Sequence, residues 1–100
     1  MKKVAVLLGS DSDLPIASKA AEVLRALEIP YEMHIYSAHR TPDEARRFAL
    51  EARDRGFGVL IAAAGMAAHL AGALAANTTL PVIGIPCGGG AFSGLDALLS

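Results

Sequence analysis

Apolar residues in this chain fall into short continuous runs that alternate with stretches where they recur every three or four positions. Lys3–Leu8 is the first run, and it predicts a strand of the kind buried on both faces in a parallel sheet. Gly9-Ser10-Asp11 ends it. Asp13 is placed to cap a helix with Pro15 in its first turn, and Ile16, Ala20, Val23, Leu24 and Leu27 predict that helix's apolar face. Tyr31–Tyr36 alternates and predicts a second strand. Thr41 followed by Glu44 three residues later forms a capping box, with Pro42 at the first helical position. The helix it starts is predicted from Pro42 to about Arg55, with Ala45, Phe48, Ala49 and Ala52 on one face and Gly56 as its stop. Val59–Ala63 predicts a third strand, Ala67–Ala76 a helix apolar nearly all round, and Pro81–Ile85 a fourth strand. Leu95, Leu98 and Leu99 begin another helical face. That helix has less than two turns before Ser100, so it is expected to lean on a neighbour or to belong to a longer chain.

Strand and helix alternating in this way predict right-handed βαβ units and an α/β fold with a parallel sheet in three layers, as one domain over residues 1–100. Composition adds one point. At 53% hydrophobic, 19% charged and mean hydropathy +0.42, the chain is more apolar than a domain of this size needs. The all-apolar Ala67–Ala76 helix points the same way, to a buried contact between subunits. No apolar run approaches the about 18 residues of a membrane span, and Val4–Leu8 is too short for a signal peptide, so no membrane partner is expected. The net charge of −1, without a basic stripe, argues against nucleic acid. A single cysteine, Cys87, excludes an intrachain disulfide framework and fits a reducing, cytoplasmic setting. Three histidines and one cysteine show no metal-ligand spacing, so no metal is expected.

Four polar or glycine-rich stretches follow the carboxyl ends of the four predicted strands: Gly9–Asp13, Ser37–Thr41, Ala64–His69 and Cys87–Gly90. Ligands bind at that edge of open α/β sheets. The first stretch offers hydroxyls, free backbone amides and a helix start, which suit an anion. It lacks the P-loop lysine and the dinucleotide spacing, and Ser12 or Asp13 could simply cap the helix. In the second, Arg40 is built to grip a phosphate or carboxylate, and His39 beside it exchanges protons near neutral pH. Ser37 precedes both. His69 is either a buried histidine bonded to backbone or a second polar group in the pocket. His34 reads as a structural or surface residue, and Cys87 as a plain buried thiol.

Together, "GSDSD", "SAHRTPDE", "AGMAAHLAG", "LPVIGIP" and "GLDALLS" resemble the PurE family of purine biosynthesis over essentially the whole chain. Family chains continue further, so the sequence is similar to the amino-terminal part of one. The resemblance implies a flavodoxin-like, three-layer α/β/α fold, a homo-octamer with sites at subunit junctions, a small-molecule ribonucleotide substrate and no cofactor. Class I members move a carboxylate from the exocyclic nitrogen of N5-carboxyaminoimidazole ribonucleotide to ring carbon C4. Class II members carboxylate aminoimidazole ribonucleotide directly. Arg40 and Thr41 match class I, where class II chains typically have lysine and glycine. His39 is implied as the proton-transfer residue. Ser10, Ser12, Asp13, Ser37, Arg40, Ala64, Gly65, Ala67, Ala68, His69 and Leu70 are implied as substrate-binding positions, with Arg40 and the serines toward phosphate and Asp13 toward ribose. The alternatives are the class II carboxylase and a non-catalytic module that only binds a phosphorylated ligand. Ala71 and the Cys87–Gly90 loop depart from the commonest family pattern.

Overall fold

The structure is a computed structural model and describes residues 1–65, 69–88 and 95–99. Four strands, β1 (Lys3–Leu8), β2 (Tyr31–Ile35), β3 (Phe57–Gly65) and β4 (Val82–Cys87), form one sheet in the order β2-β1-β3-β4. Every neighbouring pair is parallel. The connecting helices are α1 (Leu14–Ala26), α2 (Pro42–Glu51) and α3 (Leu70–Ala75), and α4 (Leu95–Leu99) follows β4.

Alternation along β1 divides the core. Ala5 and Leu7 pack with Ala45, Phe48 and Ala49 of α2 and with Leu70 and Leu74 of α3. Val4, Val6 and Leu8 point the other way, toward Ala17 and Leu24 of α1. Helices therefore cover both faces, and the parallel, three-layer α/β architecture predicted from the pattern is the one observed. From β1 the chain steps outward to β2, then returns past β1 to β3 and β4. The direction of winding reverses between β1 and β3, and a crevice opens at the carboxyl ends of adjacent strands where that happens.

Several element details differ from expectation. Strand β3 is longer than Val59–Ala63, starting at Phe57 and reaching Gly65, and β4 extends past Ile85 to Cys87. The second helix ends at Glu51 rather than near Arg55. Residues 52–56 form turns instead, closed by Gly56 at φ 91°, a left-handed conformation that suits glycine. The Gly56 carbonyl then accepts the Lys3 amide, tying the turn to β1. The buried face of α1 is also rotated from the expected one. It presents Ala17, Ala21 and Leu24 to the sheet and leaves Val23 58% and Leu27 62% exposed. Alanines let the helix sit close to the strands, and the bulkier side chains are left outside. Helix α3 starts at Leu70, later than the expected Ala67, and Met66–Ala68 lie outside the described residues. It buries Leu70 and Leu74 while Gly72, Ala75 and Ala76 are exposed in this chain. Among the described residues no helix is long and apolar enough to cross a membrane.

Candidate active site

A cleft of about 700 Å³ lies at the carboxyl edge of the sheet, within the size range of small-molecule sites. It is lined by Gly9–Ser10 and Ser12–Asp13 after β1, by Ser37–Arg40 after β2, by Ala64–Gly65 at the end of β3, by His69–Leu70 and by Gly88 after β4. Loops that are distant in sequence thus meet because parallel strands deliver all their carboxyl ends to one edge.

The loop after β2 is closed by its own side chains. The Ser37 amide donates to Thr41 Oγ1 at 2.8 Å, while that hydroxyl and the Thr41 amide both donate to the Ser37 carbonyl, at 3.1 and 2.9 Å. Ser37 Oγ accepts from the amides of His39 at 3.2 Å and Arg40 at 3.0 Å. The capping-box expectation is corrected here. Thr41 is the N-cap of α2, but its hydroxyl makes no capping bond and turns back into the loop. Its backbone, at φ −131° and ψ 55°, departs from the extended form usual for a capping residue. The amides of Ser37, His39, Arg40 and Thr41 are bonded within the loop, and the side chains of His39 and Arg40 are exposed at the cleft.

The loop after β1 makes one 3-10 turn, Asp11–Asp13, before α1. Ser10 Oγ and Ser12 Oγ are 2.6 Å apart. Asp13 precedes α1 without making a capping bond, contrary to expectation. Its side chain is only 7% exposed and lines the cleft. It also sits close enough to Cys87 to oppose ionisation of that thiol. Burial first, and then the Asp13 carboxylate, raise Cys87 to about 11. At 1% exposure and held neutral, Cys87 is the buried thiol anticipated from sequence, not a nucleophile.

His69 stands at the N-cap of α3 with its carbonyl accepting the Ala73 amide at 2.8 Å. It is exposed, and its partner is a side chain: His69 Nδ1 lies 3.0 Å from His39 Nε2, the rings meeting edge to face with centroids 5.1 Å apart. His69 is thus neither buried nor, among the described residues, held through its ring by backbone, and it lines the cleft. Gly65 has a spatial requirement. A Cβ there would come within 3.3 Å of the Cys87 carbonyl and 3.4 Å of the Gly88 carbonyl, so a larger residue would require the backbone at the end of β4 to give by a few tenths of an ångström. Of the expected site residues, Ser10, Ser12, Asp13, Ser37, His39, Arg40, Ala64, Gly65, His69 and Leu70 gather here, and Ala67 and Ala68 lie outside the described residues, as do residues 89–90 of the fourth stretch. Gly9, Ala38 and Gly88, from the stretches singled out at that edge, also line the cleft, as does Ile16, which was not anticipated. Ile16 reads as an ordinary core position, one turn into α1, until the loop before it is seen to fold over the same edge.

His34 is structural, as expected. Its Nε2 pairs with Glu32 Oε1 at 2.9 Å and its ring stacks on Tyr36. Among the described residues no group of three or more His, Cys, Asp or Glu side chains is arranged to hold a metal ion.

These features define a parallel α/β protein with a polar, histidine-bearing cleft at the switch point of its sheet. The chain belongs to the AIR carboxylase family, whose profile matches residues 3–100. It is 54% identical over 100 residues to N5-carboxyaminoimidazole ribonucleotide mutase of Pyrococcus abyssi, covering all of this chain and 58% of that protein. It is 52% identical over 97 residues to phosphoribosylaminoimidazole carboxylase of Candida glabrata, covering 17% of that longer protein. The crystal structure of Treponema denticola PurE superposes with a TM-score of 0.84 at 31% identity, over 97% of this chain and 63% of that one. The chain thus spans little more than half the length of the mutase it matches.

Proposed function

We propose that the full-length protein is a class I mutase that moves the carboxylate of N5-carboxyaminoimidazole ribonucleotide from the exocyclic nitrogen to ring carbon C4. The observation that carries this is the Ser37–Thr41 loop, which sets a proton-transfer group, His39, beside an anion-binding group, Arg40, at one edge of the cleft. The naming of the P. abyssi relative supports the same reading.

In this reading Arg40 takes the substrate phosphate together with Ser10 and Ser12, and the buried Asp13 carboxylate accepts from ribose hydroxyls. Ser37 contributes by holding the loop. Ala64, Gly65 and Leu70, with Ala67 and Ala68 by resemblance, present small or apolar surface to the carboxylate, which leaves as carbon dioxide and stays in place. As it leaves, the exocyclic nitrogen gains a proton. Ring C4 then attacks the carbon dioxide and loses its proton to a base, so the two proton transfers balance. His39 is the group for both. The electron-rich ring is its own nucleophile, and the cleft supplies proximity and exclusion of water. We also propose a cytoplasmic homo-oligomer, an octamer by resemblance, that uses no cofactor.

The direct carboxylase is the competing reading, favoured by the identity to the fungal carboxylase. Supplying N5-carboxyaminoimidazole ribonucleotide, and separately aminoimidazole ribonucleotide with bicarbonate, to the full-length protein separates the two. Turnover of the first substrate is expected, with a loss of about a thousandfold in His39→Asn, within the usual contribution of a general acid–base. Product formation only from the second substrate would make the protein a carboxylase. Wild-type turnover in His39→Asn would remove His39 from the chemistry.

A further inference from the structure

Asp13 is the one buried charged side chain among the described residues, and it lines the cleft. Among those residues it makes no capping bond to a backbone amide and no ion pair. A buried carboxylate without such partners is costly, so its acceptor sites call for donors. The protein supplies one, the thiol of Cys87 at the end of β4. Gly9 and Gly65 carry no side chain that would come between them. Asp13 Oδ2 stands 3.6 Å from the place a Gly9 Cβ would take, and the Cys87 Cβ 3.6 Å from the place a Gly65 Cβ would take. Cys87 is buried, and with its pKa pushed up to about 11 by burial and by Asp13 the thiol keeps its proton at neutral pH. That proton has two acceptors in reach, the Ile85 carbonyl at 3.7 Å from Sγ and the Asp13 carboxylate, and a charged acceptor holds it more strongly.

We propose that Cys87 is a positioning residue for the substrate: its thiol donates to the Asp13 carboxylate and holds that group so that its remaining acceptor sites face the cleft. The proposal rests on the reading in which Asp13 accepts from the ribose hydroxyls, and it adds the residue that sets the carboxylate's orientation. The terminal torsion of an aspartate is broad, and among the described residues no amide or cation fixes it here. Without the thiol the carboxylate would sample several orientations, and the substrate would have to select one on binding. Ordering it in advance removes that cost. The ribose takes no part in the bonds that break and form. Loss of the thiol therefore falls on KM rather than on kcat.

In the full-length protein Cys87→Ala is expected to raise KM about tenfold, with kcat changed less than about threefold. Cys87→Ser keeps a donor at that place and should recover most of the loss. Because Cys87 acts through Asp13, adding Cys87→Ala to Asp13→Asn should cost little more than Asp13→Asn alone. The S–H stretching band in the infrared, identified by its loss in Cys87→Ser, reads the contact directly and without substrate. It should rise in frequency in Asp13→Asn, whose amide is a weaker acceptor than a carboxylate. Wild-type KM in Cys87→Ala beside a raised KM in Asp13→Asn overturns the positioning role and leaves the ribose reading standing. Wild-type KM in Asp13→Asn overturns the ribose reading and the proposal with it. Losses that multiply in the double variant, or an S–H band unmoved by Asp13→Asn, show that the thiol does not act through Asp13 and overturn the proposal. The infrared measurement on Asp13→Asn keeps the thiol in place, so it decides whether or not Cys87→Ala folds.

Discussion

Glu32 shows how one side chain on this scaffold ties charge to stability. Its carboxylate accepts from Lys3 Nζ at 2.6 Å on the neighbouring strand and pairs with His34 Nε2 at 2.9 Å. The hydrogen bond from Lys3, then that from His34, lower its pKa below the usual 4.5 against a smaller opposing effect of burial. A carboxyl group whose folded pKa is depressed stabilises the fold above its unfolded pKa, and that contribution is lost as pH falls through the lowered folded value. Both side chains of the Lys3–Glu32 pair are about one-third exposed, so solvent screens it and the effect is small. Glu32→Gln is expected to cost up to about 1 kcal/mol by urea unfolding at neutral pH. The difference from wild type should vanish well below pH 4.5. An equal difference at both pH values would mean that the effect is packing rather than charge.

At the scale of elements, the loop from β2 to α2 does the positioning, and Ser37 is its centre. Ser37→Ala removes the acceptor for the His39 and Arg40 amides, two bonds of about 0.5–1.5 kcal/mol each. Because both amides are exposed to water when released, most of that cost is expected to appear in positioning. The prediction is a fall in kcat/KM of about tenfold with a change in unfolding free energy below about 1 kcal/mol. Unchanged kcat/KM would mean the loop holds its shape without the serine. This loop also marks what was legible in the sequence. Pro42 and Thr41 announced the helix start, and periodicity placed all four strands, since both signals are local. The direction of the Thr41 hydroxyl was not legible, because a capping bond and a loop-closing bond use the same residue. Nor was the His39–His69 contact, whose partners stand 30 residues apart and meet only through the parallel order of β1, β2 and β3. The strand ends at Phe57, Gly65 and Cys87 escaped for a related reason. Gly58, Gly65 and Pro86 are weak strand formers, and the pairing of β3 with β1 and β4 extends the ladder beyond what their own propensity supports.

At the scale of the whole molecule, the unresolved quantity is the apolar surface. On α1, Val23 and Leu27 lie one turn apart and outward, and Ile83 on the edge strand β4 is 52% exposed. In α4, Leu98 and Leu99 are 64% and 75% exposed on a helix of 5 residues, a length that holds its shape only against something else. Single exposed aliphatics are ordinary, but here they accompany a composition of 53% hydrophobic residues. Covering such faces with identical copies removes them from water without adding a second gene product, and closed symmetric assemblies are the usual outcome. The full-length protein is therefore expected to sediment at a mass of several chains at micromolar concentration, with its oligomer persisting at high salt because apolar contact, not charge, holds it. A single-chain mass would refute the assembly, and dissociation by salt alone would show that ionic contacts hold it instead.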